Sequence, residues 1–291
     1  MVKGRIIKGV GGFYYVKTKD GIIESRARGV FREDKLKPLV GDRVKIKVSD
    51  EDNSGYIIEI EDRQTELLRP PVSNVTQAII VMSIKSPDIN TWLLDKFLLM
   101  ADYEGLDILI CINKCELDEE FAIKIEKIYK EAGYKVLLTS AALGLGIEEL
   151  EEVLNGSISV LAGPSGVGKS SLLNRINPDF NLDTGDVSAR TRRGRHTTRH
   201  VELLELKDNT FVLDSPGFSS LDLKFIENES QVRNYFKEIN KYGFQCAFHS
   251  CLHDREPNCA VKAYVEAGKI SQERYKNYLS ILNEVRNIRR Y

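Results

Sequence analysis

Gly163-Pro164-Ser165-Gly166-Val167-Gly168-Lys169-Ser170 is the stretch on which the reading turns. It fits the pattern G-x-x-x-x-G-K-[ST], and its flanks are those that such a loop requires. The apolar run Ile158–Ala162 leads into it as a strand, and Ser171–Ile176 leads out as a helix. The glycines let successive backbone N–H groups curl around a phosphate, and the helix N-terminus that follows adds its dipole. Lys169 is the candidate cation for the β- and γ-phosphates, and the Ser170 hydroxyl is a candidate Mg²⁺ ligand. Ser171 completes the phosphate cradle.

Working outward, Asn113-Lys114-Cys115-Glu116 follows the strand Asp107–Ile112. It is similar to N-K-x-D, in which a carboxylate accepts hydrogen bonds from guanine N1–H and the exocyclic amine. Adenine offers neither donor there and leaves the acceptor unpaired, which discriminates strongly. Glu116 in place of Asp shifts the acceptor oxygens by about 1.5 Å, one C–C bond, so guanine preference is expected to survive in weaker form. Thr139-Ser140-Ala141 ends the next strand and matches an [ST]-A element for the guanine carbonyl, with Ser140 and Ala141 as its contacts. Asp214-Ser215-Pro216-Gly217 ends the strand Thr210–Asp214 and matches D-x-P-G. There Asp214 is a metal-binding candidate and the Gly217 N–H a γ-phosphate donor. The threonine that closes over Mg²⁺ belongs between these motifs; Thr198 is preferred to Thr197. The arginine-rich run 190–199 around it reads either as a contact for RNA phosphates or as a solvated loop.

Base-reading motifs at 113–116 and 139–141 thus precede the phosphate loop, and the switch elements follow it. Small GTPases run P-loop first, so the order here is a circular permutation of that sheet. Strand and helix patterns alternate from Gln77 to Asp214, predicting a mostly parallel sheet covered by helices. Before it, short alternating runs at 5–10, 13–17, 43–48 and 55–60, parted by Gly, Asp and Asn turns, predict a small β-barrel over 1–67. Pattern alone leaves an OB-fold and an SH3-like barrel both open. Arg69-Pro70-Pro71 marks the boundary, on the reasoning that proline cannot continue a sheet ladder. The expected domains are 1–67, 72–224 and 225–291, the last α-helical and closed by a long polar helix capped by Ser271.

The chain has 291 residues, 42% apolar and 29% charged, with a net charge of −1, which excludes a wholly disordered polymer. Neutrality hides polarity: residues 1–50 hold 13 Lys and Arg against 6 acids, so a polyanionic partner is compatible. No run approaches the ~18 apolar residues of a membrane span, and no secretory signal opens the chain, so the expectation is a cytoplasmic protein without membrane partners. Three of the five cysteines cluster as Cys246-x₄-Cys251-x-His253-x₅-Cys259. Three thiolates and one imidazole fit one closed, structural Zn²⁺ site. His249 lies in the same loop and stays an alternative ligand, whereas Cys111 reads as core packing.

The permuted motif order, Gly194-Arg195-His196-Thr197-Thr198 and the Cys246–Cys259 spacing together resemble the RsgA (YjeQ-type) family of small ribosomal subunit biogenesis GTPases, over essentially the whole chain. The resemblance implies an OB-fold barrel, a permuted P-loop GTPase and a zinc domain. It implies GTP hydrolysed to GDP with Mg²⁺ at Ser170, Thr198 and Asp214, stimulation by the 30S subunit, binding of 16S rRNA, and action as a monomer. Phe218 stands where Ras-like enzymes carry a water-orienting Gln. His196 is the candidate to orient the water, beside Lys169 and Thr198 as catalytic candidates; an RNA or structural contact is its other reading. Two alternatives come from other classes: a P-loop ATPase or small-molecule kinase, and an RNA-binding protein whose nucleotide only regulates it.

Overall fold

The structure is a computed structural model and describes residues 1–27, 37–49, 53–68, 70–182, 201–207, 209–214 and 222–288, with the backbone alone at Leu68 and Asp214. The arginine-rich run, His196, Thr197, Thr198, Gly217 and Phe218 lie outside the described residues. Thirteen strands are described: β1 (Val2–Val10), β2 (Phe13–Thr18), β3 (Gly21–Ala27), β4 (Arg43–Val48), β5 (Gly55–Ile60), β6 (Glu66–Leu68), β7 (Pro71–Ser73), β8 (Gln77–Ser83), β9 (Asp107–Asn113), β10 (Lys135–Leu138), β11 (Ile158–Ala162), β12 (Glu202–Lys207) and β13 (Thr210–Asp214). Seven α-helices accompany them: α1 (Thr91–Tyr103), α2 (Glu119–Glu131), α3 (Ile147–Leu154), α4 (Lys169–Ile176), α5 (Lys237–Gly243), α6 (Ala260–Glu266) and α7 (Gln272–Asn287). They fall into two compact units, one of Met1–Gln77, Glu151–Leu161 and Gly185–Gly217, the other of Ala78–Leu150, Ala162–Thr184 and Phe218–Tyr291.

In the first unit the strand order β1-β2-β3-β5-β4 closes because β4 also pairs with β1. Every pairing is antiparallel except β3 with β5. This is the order of an OB-fold, which settles what the alternating pattern left open. Ile6, Val16, Val44, Ile46 and Ile57 point inward and fill the barrel. Buried Asp42 accepts from the Leu39 N–H at 2.7 Å and holds Arg63 through both carboxylate oxygens, a charge pair with its hydrogen bonds satisfied. β3 is absent from the sequence reading, because Ile22, Glu24 and Arg26 face solvent and the strand lacks an apolar stripe.

One further expectation is corrected. Pro71 does not end the ladder: it opens β7, which pairs with β6, because a proline at the first residue of an edge strand forfeits no needed donor. The sheet is mostly parallel, as expected, with one antiparallel strand at 202–207. β11 runs parallel to β13, as β9 does to β10, but β12 is antiparallel to β13 and meets β1 at Lys8–Glu202.

In the second unit the strand order is β10-β9-β8, and β8 is buried along its described length from Ala78 to Ser83. Asn90 caps α1 by accepting from the Leu93 N–H, and Asp118 caps α2 the same way from Phe121. The stretch after Phe225 forms a 3₁₀ turn at Glu229–Tyr235 before α5. Ser271 caps α7 as expected, but the helix is half core: Arg274, Asn277, Tyr278, Ile281, Leu282 and Val285 are buried. Among the described residues no helix is long and apolar enough to cross a membrane.

Candidate functional site

The phosphate loop joins the end of β11 to α4, as its sequence demands. Gly163 and Gly168 have φ of +142° and +96°, and neither leaves room for a side chain. A Cβ on Gly163 would stand 2.1 Å from the Val81 carbonyl oxygen, and one on Gly168 would stand 2.3 Å from Asn113 Nδ2. The loop is therefore pressed against β8 on one side and the end of β9 on the other. Lys169 Nζ donates to the carbonyls of Gly163 and Pro164, both at 2.7 Å. A polyphosphate would offer this ammonium a charge-assisted bond, stronger than one to a neutral carbonyl. Ser170 lies buried in the first turn of α4, where backbone N–H groups lack helical partners.

Asn113 ties the distant motifs together. It is 1% exposed at the end of β9. Its Nδ2 donates to the Val167 carbonyl at 2.8 Å, while Oδ1 accepts from the Ala141 N–H at 3.2 Å and the Thr139 hydroxyl at 3.3 Å. Lys114 follows in the left-handed region, φ +59°, which turns its stem along the loop: Nζ donates to the Gly166 carbonyl at 2.8 Å and to the Ser86 carbonyl. Glu116 is exposed in the 3₁₀ turn Cys115–Leu117, as a carboxylate that is to meet a base edge must be. Ser140 is buried, with its hydroxyl accepting from the Leu143 N–H at 3.1 Å. Asp214 ends β13 opposite Glu202 in the other unit, beside the strand β11 that continues into the phosphate loop.

Sequence reasoning misses Thr139 as a positioning group and Ser86 altogether. Ser86 acts through its backbone carbonyl, so its side chain carries no signal. Cys111 behaves as expected: fully buried, in contact with the Thr139 hydroxyl at 3.2 Å, its thiol pushed up to about 12 by burial.

The cluster Cys246, Cys251, His253 and Cys259 also assembles, with all ligand atoms within 4.8 Å of one another. Cys246 Sγ lies 3.8 Å from Cys259 Sγ, and His253 Nδ1 lies 3.5 and 3.4 Å from those two sulfurs. A tetrahedral zinc with its usual bond lengths sets S···S near about 3.8 Å and S···N near about 3.6 Å. The donor set thus fits one zinc ion. Burial, helped by the charge of Arg233, lowers His253 to about 4, so its ring is neutral and has a lone pair to give. Exposed His249 is not part of the cluster. The ligand loop is held from behind: Tyr275 and Tyr278 donate to the carbonyls of His253 and Leu252 at 2.6 and 2.7 Å, and Arg233 donates to those of His249 and Cys251 at 2.9 and 3.1 Å.

Nucleotide-binding motifs in permuted order, an OB barrel and a Cys₃His module together define a multidomain P-loop GTPase. The chain belongs to the RsgA GTPase family: residues 60–224 match the family's GTPase and residues 3–57 its N-terminal domain. It is 47% identical to the small ribosomal subunit biogenesis GTPase RsgA of Alkaliphilus metalliredigens over the full length of both chains, and 48% identical to that of Clostridium perfringens over 99% of each. Crystallographic YjeQ from Thermotoga maritima superposes with a TM-score of 0.83 at 39% identity over 99% of both chains. YloQ, described as a circularly permuted GTPase, superposes at 0.80 with 38% identity, covering all of this chain and 97% of its own.

Gly168 gives the sharpest test of this arrangement. In Gly168→Ala the new methyl displaces Asn113, which three hydrogen bonds hold in place, and the residue keeps a φ that strains any side chain. Affinity for a fluorescent GDP analogue is expected to fall by about tenfold or more, at ~1–3 kcal/mol of strain, with far-UV circular dichroism unchanged.

Proposed function

We propose that this protein hydrolyses GTP to GDP and phosphate while bound to the small (30S) ribosomal subunit, and that it assists a late step of subunit maturation. One observation carries the nucleotide part: Asn113 hydrogen-bonds both the phosphate loop at Val167 and the Ser140-Ala141 element, so base-reading and phosphate-binding segments meet in one place. The relatives named as small ribosomal subunit biogenesis GTPases support the ribosomal part.

In this reading Asn113, Lys114 and Glu116 hold the guanine with Ser140 and Ala141. Residues 163–171 cradle the phosphates, and Lys169 neutralises charge on the transferred group. Ser170, Thr198 and Asp214 hold Mg²⁺, which when bound offsets negative charge on the phosphate oxygens. Thr198 and the Gly217 N–H close on the γ-phosphate, and His196 orients the attacking water in the absence of a Gln at position 218. The working parts are the barrel of 1–67, the GTPase of 72–224 and the zinc domain of 225–291. Barrel and zinc domain grip 16S rRNA while GTP is bound; hydrolysis relaxes the switch segments and releases the factor, a cytoplasmic monomer.

The test is GTP turnover by the purified chain with and without 30S subunits. Stimulation by about tenfold or more, ~1.4 kcal/mol of barrier, is expected, with GDP but not ADP competing. Turnover indifferent to the subunit would end the ribosomal reading, and preference for ATP would end the guanine one.

A further inference from the structure

Some cations of the barrel surface are paired and others are not. Lys3, Lys8, Lys17 and Lys45 each pair with a carboxylate, on Glu61, Glu202, Glu205 and Glu59 respectively. Of the exposed cations without a carboxylate partner among the described residues, which include Lys19, Lys37 and Arg43, Arg26 and Lys47 lie in one cross-strand row. Phe13 on β2 is opposite Arg26 on β3, Arg26 is opposite Tyr56 on β5, and Tyr56 is opposite Lys47 on β4. Directly opposed residues share a face of the sheet, so aromatic and cation alternate across four strands on the outside of the barrel. The row is partly preorganised: the Arg26 guanidinium stacks over the Phe13 ring with its carbon 4.5 Å from the centroid. Tyr56 is 46% exposed, and its ring is available to a partner.

We propose that the row Phe13–Arg26–Tyr56–Lys47 is a stacking platform for single-stranded RNA. The inference rests on the rRNA-binding reading above and specifies where on the barrel, and in what form, the RNA is bound. Adjacent strands lie about 4.8 Å apart, so Phe13 and Tyr56 stand roughly 10 Å from each other with a cation beside each. That spacing suits unstacked bases laid on the rings and phosphates passing the cations. A duplex keeps its base faces covered and cannot use the rings. A protein partner would be served as well by the neutralised lysines; what this row adds is unpaired positive charge set between flat aromatic faces.

The test uses the full-length chain and a 12-nucleotide mixed-sequence RNA carrying 4-thiouridine, single-stranded or annealed to its complement. Irradiation is expected to cross-link the single strand to Phe13 or Tyr56. Tyr56→Leu, an exposed position that keeps its apolar bulk, is expected to weaken single-strand binding about tenfold, as removal of one base-stacking ring does. Lys47→Gln is expected to lower the slope of log affinity against log salt by about one. Melting temperatures of both variants should match wild type, so that any loss belongs to the surface. Cross-links only outside the barrel, equal affinity for the duplex, or unchanged binding by both variants would overturn the platform. GTP turnover with 30S subunits is read in parallel. If wild type is stimulated and the platform result is negative, the inference alone has failed; if wild type is not stimulated, the functional reading has failed first.

Discussion

Replacing Arg274 with alanine is expected to destabilise the unit that contains it by about 3–5 kcal/mol, the cost of breaking a buried ion pair from one side. Arg274 is almost fully buried on α7. Its Nε and Nη2 form a fork on the Glu238 carboxylate of α5 at 2.8 and 2.9 Å, and its Nη1 reaches Asp95 of α1. Asp95 also accepts from Tyr129 at 2.9 Å and Asn277 at 2.8 Å. The guanidinium lies over the rings of Phe236, Tyr129 and Tyr134 at 4.6, 5.3 and 5.5 Å. Burial works against this charge; Asp95 and Glu238 outweigh it and hold the pKa well above its ordinary value. Alanine would leave two carboxylates in an apolar setting with no cation. At about 2–4 °C per kcal/mol, the melting transition is expected near 10 °C lower. Arg274→Lys keeps a charge but loses the fork and the ring stacking, and should fall between the two. A triple variant, Asp95→Leu, Glu238→Met and Arg274→Met, should recover much of the loss, because it removes the desolvation cost with the interaction. An Arg274→Ala protein melting within about 2 °C of wild type would show that the pairs contribute nothing.

That network also says where sequence reading stops. Arg274 sits in Gln272-Glu273-Arg274-Tyr275-Lys276, which reads as a solvated helix face. Nothing local marks it as core, because its partners are 179 and 36 residues away along the chain. The phosphate loop is legible for the opposite reason: its glycines answer backbone demands within eight positions. Asn113, Lys114 and the metal cluster are also legible as types, since each motif names its own chemistry. Their convergence is not, and the Asn113 bonds to Val167 and Ala141 appear only once the chain is folded. The barrel was legible as a class through its turns. Its strand order, the closure of β4 on β1 and the presence of β3 depend on pairings between segments that carry no individual signature. The polar helix α7 connects these levels. Arg274, Asn277 and Lys96–Glu284 fix it to α1, and from the same helix Tyr275 and Tyr278 hold the carbonyls of the metal-ligand loop. The Cys₃His loop is thus fastened, through α7, to the helix that follows β8.

Stripping the metal is expected to have the largest effect of any treatment on the C-terminal region. Cys251 and Cys259 belong to the same buried cluster as Val232, Phe236, Tyr278 and Leu282, so the ligand loop is part of a core rather than an appendage. His253 brings a ring into that core whose Nε2 is buried without a hydrogen-bond partner among the described residues, packed so close to Gly243 that a Cβ there would lie 3.0 Å from it. Three thiols and an imidazole whose ligand atoms all lie within 4.8 Å of one another have little reason to stay together unless a cation draws them in. Structural zinc in isolated fingers contributes about 10–16 kcal/mol of apparent binding free energy, comparable to the whole stability of a domain, ~5–15 kcal/mol. The purified chain is therefore expected to carry one zinc per molecule by elemental analysis. A strong chelator, or Cys251→Ser, should release it, lower the melting transition and abolish association with 30S subunits. With Mg²⁺ restored, affinity for GDP should change by no more than about threefold, or ~0.7 kcal/mol, since no residue of the nucleotide site belongs to the Cys246–Cys259 cluster. His249→Ala should keep its zinc, because that exposed ring lies outside the cluster. Metal-free protein with an unaltered melting curve and intact subunit binding would mean that the four side chains meet for packing alone.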